Sequence, residues 1–172
     1  MAKVIVPGLG TLLLGLGVAA SAILGPLGLG VIRFRTSANV ELQFVGGEIV
    51  SLLVVAPLAI VAGVLWLRRH RLAPALSLGP ALYAVYTYTS VVVGQEYAQY
   101  PGNVEYFFPL FAGLVALGVA IAAASRSWLA RQHVELPGEG TRRVLAGAFL
   151  VLGVFFALTW AAQIRQVLDY FD

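Results

Sequence analysis

The sequence predicts an all-α integral membrane helical bundle of about five transmembrane helices, N-terminus inside and C-terminus outside, in a single transmembrane domain over residues 1–172. Three observations carry that expectation. The chain is 60% hydrophobic and only 11% charged, where a soluble domain has roughly a quarter of its residues charged. Its apolar residues run in uninterrupted blocks of the roughly 20 residues a helix needs to cross the hydrocarbon, instead of the alternation of an outer-membrane barrel. Each block also has its own local stops in Pro, Gly or Arg.

In chain order the spans read as about 5–31, 46–67, 74–94, 106–125 and 143–164. The first is Gly-rich with Pro7 and Pro26, and it is expected to bend or break near Gly25-Pro26, where helix hydrogen bonds are lost. Its start has the layout of a signal peptide: Lys3, an apolar run, then Ala20-Ser21-Ala22. The apolar run continues well past that site, which reads as a retained anchor helix. Next comes "RFRTSANVELQF", where Val40, Leu42 and Phe44 alternate with Asn39, Glu41 and Gln43 in a strand-like or interfacial pattern. The second span carries Pro57 at its middle and stops at Arg68. Pro74 suits the first turn of the third, the turn signal "YPGN" precedes the fourth, and "PGEGT" precedes the fifth. No internal repeat is visible, which weighs against an inverted-repeat transporter within one chain.

Orientation follows from Lys and Arg. One set of connections holds Lys3, Arg68, Arg69, Arg71, Arg126, Arg131, Arg142 and Arg143; the other holds Arg33, Arg35 and Arg165. The richer side is expected inside, in a multi-pass protein of the bacterial cytoplasmic (inner) membrane. That clustering accounts for a pI near 9.5 without a nucleic-acid partner, and it reads as a topology signal in preference to a phospholipid site. The expected partners are the lipid bilayer and a homo-oligomer or another membrane protein. Small residues at four-residue spacing, Ala112, Ala116, Ala120 and Ala124 in the fourth span and Gly153, Ala157 and Ala161 in the fifth, are the candidate helix-packing faces.

Enzyme templates fail in turn. The chain has no cysteine, which excludes thiolate and disulfide chemistry, and Lys3 is its only lysine. The spans hold no Ser with a nearby His and no phosphate-cradling Gly-Lys motif. His70 and His133, with Glu135, make a poor metal set in the basic loops, so no metal and no cofactor is expected.

What remains is polar and gathers toward one leaflet. In "YAVYTYTS" the helical spacing puts Tyr83, Tyr86, Thr87, Ser90 and Gly94 on one stripe expected to face the bundle, with Tyr88 pointing elsewhere. Gln95, Glu96, Tyr97, Tyr100, Asn103, Glu105 and Tyr106 follow at the outer end, with Glu48, Trp160 and Gln163 at similar depth. The stripe fits an outward-facing cavity, in which Tyr faces and carboxylates hold a small neutral or cationic ligand, or else an aromatic belt and interhelical hydrogen bonds. Glu48 fits an intramembrane functional acid, or a carboxylate capping a helix that starts at Gly46-Gly47.

The run "GGEIVSLLVVAPLAIVAGVLWLRRHRLAPALSLGPALYAVYTYTS", followed by Asn103 and Phe108, resembles an uncharacterised family of bacterial polytopic integral membrane proteins. Its pattern is Gly-x-Asp/Glu opening a span, a mid-span Pro, a basic turn, a Tyr-rich span and an Asn-Pro-Leu-Phe-like start to the next. Gly46, Glu48, Pro57, Tyr83, Tyr86, Tyr88 and Asn103 match it. The likeness covers roughly residues 46–165 and departs from the pattern in Glu48 for Asp, in "VEYFFP" after Asn103 and in an early end. It implies fold and membrane class, with no function to transfer.

Three functions are compatible with these residues. The first is small-ligand binding in a cavity lined by Tyr83, Tyr86, Thr87, Ser90, Glu48, Glu96, Asn103 and Trp160. The second is an accessory subunit of a larger membrane complex or transporter. The third is a membrane enzyme that pairs Glu48 with Tyr83 or Tyr86.

Overall fold

The computed structural model describes residues 2–131, with side chains from Val4 onward, and of the remainder 138–144, 146–148, 150–151, 153–154 and 157–158. They belong to two units, Met1–His133 and Val134–Asp172. The chain is all-helical, with no strand among the described residues. Among the described residues four helical stretches are long and apolar enough to cross a membrane: Val4–Leu24, Ala38–Leu67, Ala73–Val93 and Val104–Leu129.

Helix α1 (Ala2–Leu24) stops where its sequence breaks. Pro26 has no N–H to continue the ladder, and the chain turns back so that Leu29 and Ile32 donate to the carbonyls of Ile23 (2.7 Å) and Leu24 (2.8 Å). The anticipated 5–31 span is therefore shorter, and residues 25–37 form a loop layer at that end of the bundle.

The second crossing has three parts: α2 (Ala38–Val50), a π-helical turn (Ser51–Val55) and α3 (Ala56–Leu67). It starts eight residues earlier than the expected 46, because the alternating stretch at 39–44 is helical and not strand-like. At about 45 Å the 30-residue helix exceeds the hydrocarbon thickness, so its polar opening turns extend toward the interface. The π turn comes just before Pro57, whose ring crowds the preceding turn and whose missing N–H breaks α-type bonding. Arg69 then closes α3 with φ +56°, a left-handed C-terminal cap with Arg69 N–H on the Trp66 carbonyl and His70 N–H on that of Leu65, each 2.9 Å.

Helix α4 (Ala73–Val93) and helix α5 (Phe108–Leu129), which is preceded by a 3₁₀ turn at Val104–Phe107, complete the first unit. Each crossing packs on the next, and α1 returns to α5, so the four form a closed antiparallel bundle. Close approach rests on missing side chains: a Cβ on Gly63 would meet Leu12 of α1 at 2.7 Å, and one on Gly118 would meet the Ala81 carbonyl of α4 at 2.7 Å. Leu14, Val18, Ala56, Ala84, Phe111 and Leu114 fill the centre, with Tyr88 stacked on Phe111 at 5.6 Å between centroids.

The α5 face toward the bundle is Phe111, Leu114, Gly118, Ile121 and Ser125. Ala112, Ala116 and Ala120 are exposed and Ala124 is half-buried, so the anticipated Ala packing face points outward from these four crossings. In the second unit the described residues are helical from 139, with Arg143 paired to Glu139 at 2.7 Å on the surface. The expected span 143–164 falls here; Gly153 and Ala157 are exposed, whereas Trp160, Ala161, Gln163 and Arg165 lie outside the described residues. His133 and Glu135 do too.

Candidate functional site

The polar residues gather at the end of the bundle where α1 and α4 finish and α2 and α5 begin. Two loops are laced together there. Asn103 accepts from Arg33 N–H (2.7 Å) and donates through Nδ2 to the Val31 carbonyl (2.9 Å). Gln95 accepts from Arg35 N–H (2.6 Å), while its own amide donates to the Val91 carbonyl. The Arg35 guanidinium forks onto both Glu105 oxygens and reaches the Tyr100 carbonyl (3.2 Å). Its hydrogen bond to Glu105 raises the Arg35 pKa above the ordinary arginine value, so the charge persists at any working pH. Glu96 enters this layer through its backbone, donating to the Arg35 carbonyl at 2.7 Å. Tyr97 donates to the Val92 carbonyl (2.7 Å), and its partial burial pushes the phenol's pKa up.

Beneath this layer lies a cavity of about 70 Å³ bounded by all four crossings. Ser21 comes from α1, Gln43, Gly47 and Glu48 from α2, Ser51 from the π turn, Thr87 and Tyr88 from α4, and Phe111 from α5. Phe34 and Phe44, 4.5 Å apart between centroids, lie on the side nearest the loops. Gln43, also in the lining, is exposed.

Glu48 is the only acid at this cavity and is just 9% exposed. Eleven residues into its helix, it is not the N-terminal cap that Gly46-Gly47 suggested. Its Oε2 accepts instead from Leu27 N–H in the loop after α1, at 2.8 Å. Gly25 makes room for that contact, since a Cβ there would fall onto the carboxylate, 2.6 Å from its Cδ.

The third crossing is phased differently from the sequence expectation. Tyr88, expected to point elsewhere, is 3% exposed and lines the cavity, while Tyr86 is 75% exposed and Ser90 is exposed as well. The inward stripe is Ala73, Ser77, Ala81, Ala84, Tyr88 and Val91, the first four small residues that let neighbouring helices close in. Tyr83 sits beside it: its hydroxyl donates to the Gly47 carbonyl (3.0 Å) and therefore accepts from Ser51 Oγ (2.9 Å). Among the described residues Glu48 forms no hydrogen bond with Tyr83 or Tyr86, so the acid–base pair is not assembled. Of the expected ligand residues, Glu48 and Thr87 reach the cavity, and Glu96 and Asn103 belong to the loop layer above it. Ser21, Ser51, Gln43 and Tyr88 were not anticipated as lining. For Tyr88 the signal was the run of small residues earlier in α4, which fixes its inward face; the other three lie on elements whose facing no such run marks.

Among the described residues no cluster of three His, Cys, Asp or Glu is arranged to hold a metal ion. Comparison with protein-family models, curated proteins and solved structures finds no match to this chain.

Proposed function

We propose that this chain is a multi-pass protein of a bacterial cytoplasmic membrane, with its Arg68–Arg71 end inside, and that Glu48 binds a small positively charged species entering from the outer end. The asymmetry of basic residues supports the orientation. The observation that carries the site is the carboxylate itself: nearly buried within a span, at a cavity with four hydroxyls in its lining, and with no cationic side chain beside it among the described residues. An acid in that position costs free energy unless something positive or a proton meets it. The cavity holds about two waters at roughly 30 Å³ each, far below the 300–1,000 Å³ of a site for a metabolite. The ligand class is accordingly a proton with its water, or a small monovalent cation.

Infrared difference spectroscopy of the protein in lipid nanodiscs tests this, titrating pH, then Na⁺ and K⁺, in wild type and Glu48→Gln. A carboxyl band that responds to proton or cation and vanishes in the variant supports the reading. Identical difference spectra for the two proteins would overturn it.

The exposed Ala112, Ala116 and Ala120 face favours a second reading, an accessory subunit packed against another helix through α5. Because the chain has no cysteine, Ala116→Cys supplies a unique thiol. Cross-linking of that thiol in native membranes supports a helix seated there, and uniform lipid-probe labelling without cross-links counts against it.

A further inference from the structure

At the opposite end of the bundle, an open groove of about 560 Å³ lies between α4 and α5, within the size range of ligand sites. Its walls are Leu78 and Leu82 of α4 and Ala122, Ala123 and Leu129 of α5. Among the described residues Arg126 is its only charged lining residue. From Ala122 to the end of α5 the helix rises about 12 Å, most of one leaflet's hydrocarbon of roughly 15 Å. Arg126, in the last turn, is placed to carry its guanidinium to headgroup depth.

The turn leading into α4 lies at the same end and holds Arg68, Arg69 and Arg71. Arg69 occupies a left-handed position that favours glycine, so a charged residue stands where backbone strain argues against any side chain. No acidic residue occurs in 68–72 or 126–131, and among the described residues none of these arginines forms an ion pair. An apolar groove of leaflet depth, ending in positive charge that no acid among the described residues pairs with, is complementary to one molecule class in a membrane.

We propose that the α4–α5 groove binds an acyl chain of an anionic phospholipid, with the lipid phosphate held by Arg126 and the Arg68–Arg71 turn adding to the field. The site is separate from the Glu48 cavity and stands whether or not that reading does.

The test is native mass spectrometry of the detergent-purified chain after exchange into equimolar phosphatidylglycerol and phosphatidylcholine. Wild type is expected to retain phosphatidylglycerol preferentially. Arg126→Gln should lower that preference roughly fivefold, the weight of one arginine near a membrane surface, while Arg68→Gln lowers it less. Ala123→Leu, at an exposed position, should reduce retention of both lipids by filling the groove. Retained thermal unfolding by circular dichroism qualifies each variant. Equal retention of the two lipids by wild type, equal loss from Arg68→Gln and Arg126→Gln, no effect of Ala123→Leu, or full displacement by inorganic phosphate would each overturn the proposal. A second copy of the chain in place of lipid, lost on Ala123→Leu, would overturn it as well.

Discussion

The Gly118 contact gives a prediction that isolates close helix approach from helix propensity. Gly118 and Gly113 both lie within α5, but their surroundings differ. A Cβ at Gly118 would meet the Ala81 carbonyl at 2.7 Å and Val85 Cγ2 at 2.9 Å, whereas one at Gly113 meets nothing within 4 Å. Replacing either glycine by alanine gains the same intrinsic helix preference, about 1 kcal/mol. Only Gly118→Ala must push α4 and α5 apart against a backbone atom, and overpacking of this kind costs roughly 1–3 kcal/mol. Propensity cancels between the two variants, so Gly118→Ala should be less stable than Gly113→Ala by about 1–3 kcal/mol, and Gly113→Ala should match or exceed wild type. Reversible unfolding in mixed micelles, followed by circular dichroism, reads the difference directly. Agreement of the two variants within about 0.5 kcal/mol, the usual range for surface substitutions, would refute the packing of α4 on α5 described above.

Gly25→Ala should displace the Glu48 carboxylate, so that its infrared band persists but shifts in frequency and in its response to pH and cation; an unchanged carboxyl band would break the link between Gly25 and the cavity. Tyr83→Phe removes a hydroxyl with partners on both sides and should destabilise by about 0.6–1.7 kcal/mol, the range for interhelical bonds in membranes, whereas Tyr86→Phe should be neutral in the same unfolding assay. Asn103→Ala removes both side-chain bonds to the 31–33 backbone, so hydrogen exchange at the Arg33 amide should accelerate while amides in the middle of α4 keep their protection. Arg35→Gln leaves Glu105 without its fork and should loosen the same loop layer, read as faster exchange at Glu96, whose N–H bonds the Arg35 carbonyl.

The four described crossings were legible in the sequence because their signals are local. Apolar length, Pro26, the Arg68–Arg71 turn and "YPGN" each act within a few residues of where they stand, and helix boundaries follow from them. Facing was harder. Hydroxyls in 83–90 were read as inward, yet a tyrosine on a lipid-facing surface can keep its ring in hydrocarbon and its hydroxyl near the interface. The better guide was the four-residue spacing of Ala73, Ser77 and Ala81, the same cue applied to the fourth span, where it pointed outward and Gly118 made the contact. The alternation at 39–44 satisfied a strand template over six residues, but among the described residues there is no partner strand for it and the helix beyond simply extends through it. The Arg35–Glu105 fork joins residues 70 apart, and the α4–α5 groove depends on two helices at once. Neither leaves a trace in any window of sequence.

The π turn at Ser51–Val55 amounts to one residue more than a regular helix would contain. Removing a single residue there would restore ordinary winding and leave everything before it in nearly the same orientation relative to everything after, because the wider turn already absorbs the extra residue. The same deletion in the regular winding of α3 has no such slack and would rotate Glu48 by about 100° away from the elements it faces. Leucine-rich spans tolerate either change in length, since a helix of this size still crosses the bilayer. The π turn therefore acts as a register key: a one-codon deletion within it keeps the carboxylate at the cavity, whereas a one-codon deletion beyond it preserves membrane insertion while aiming the acid at a neighbouring face.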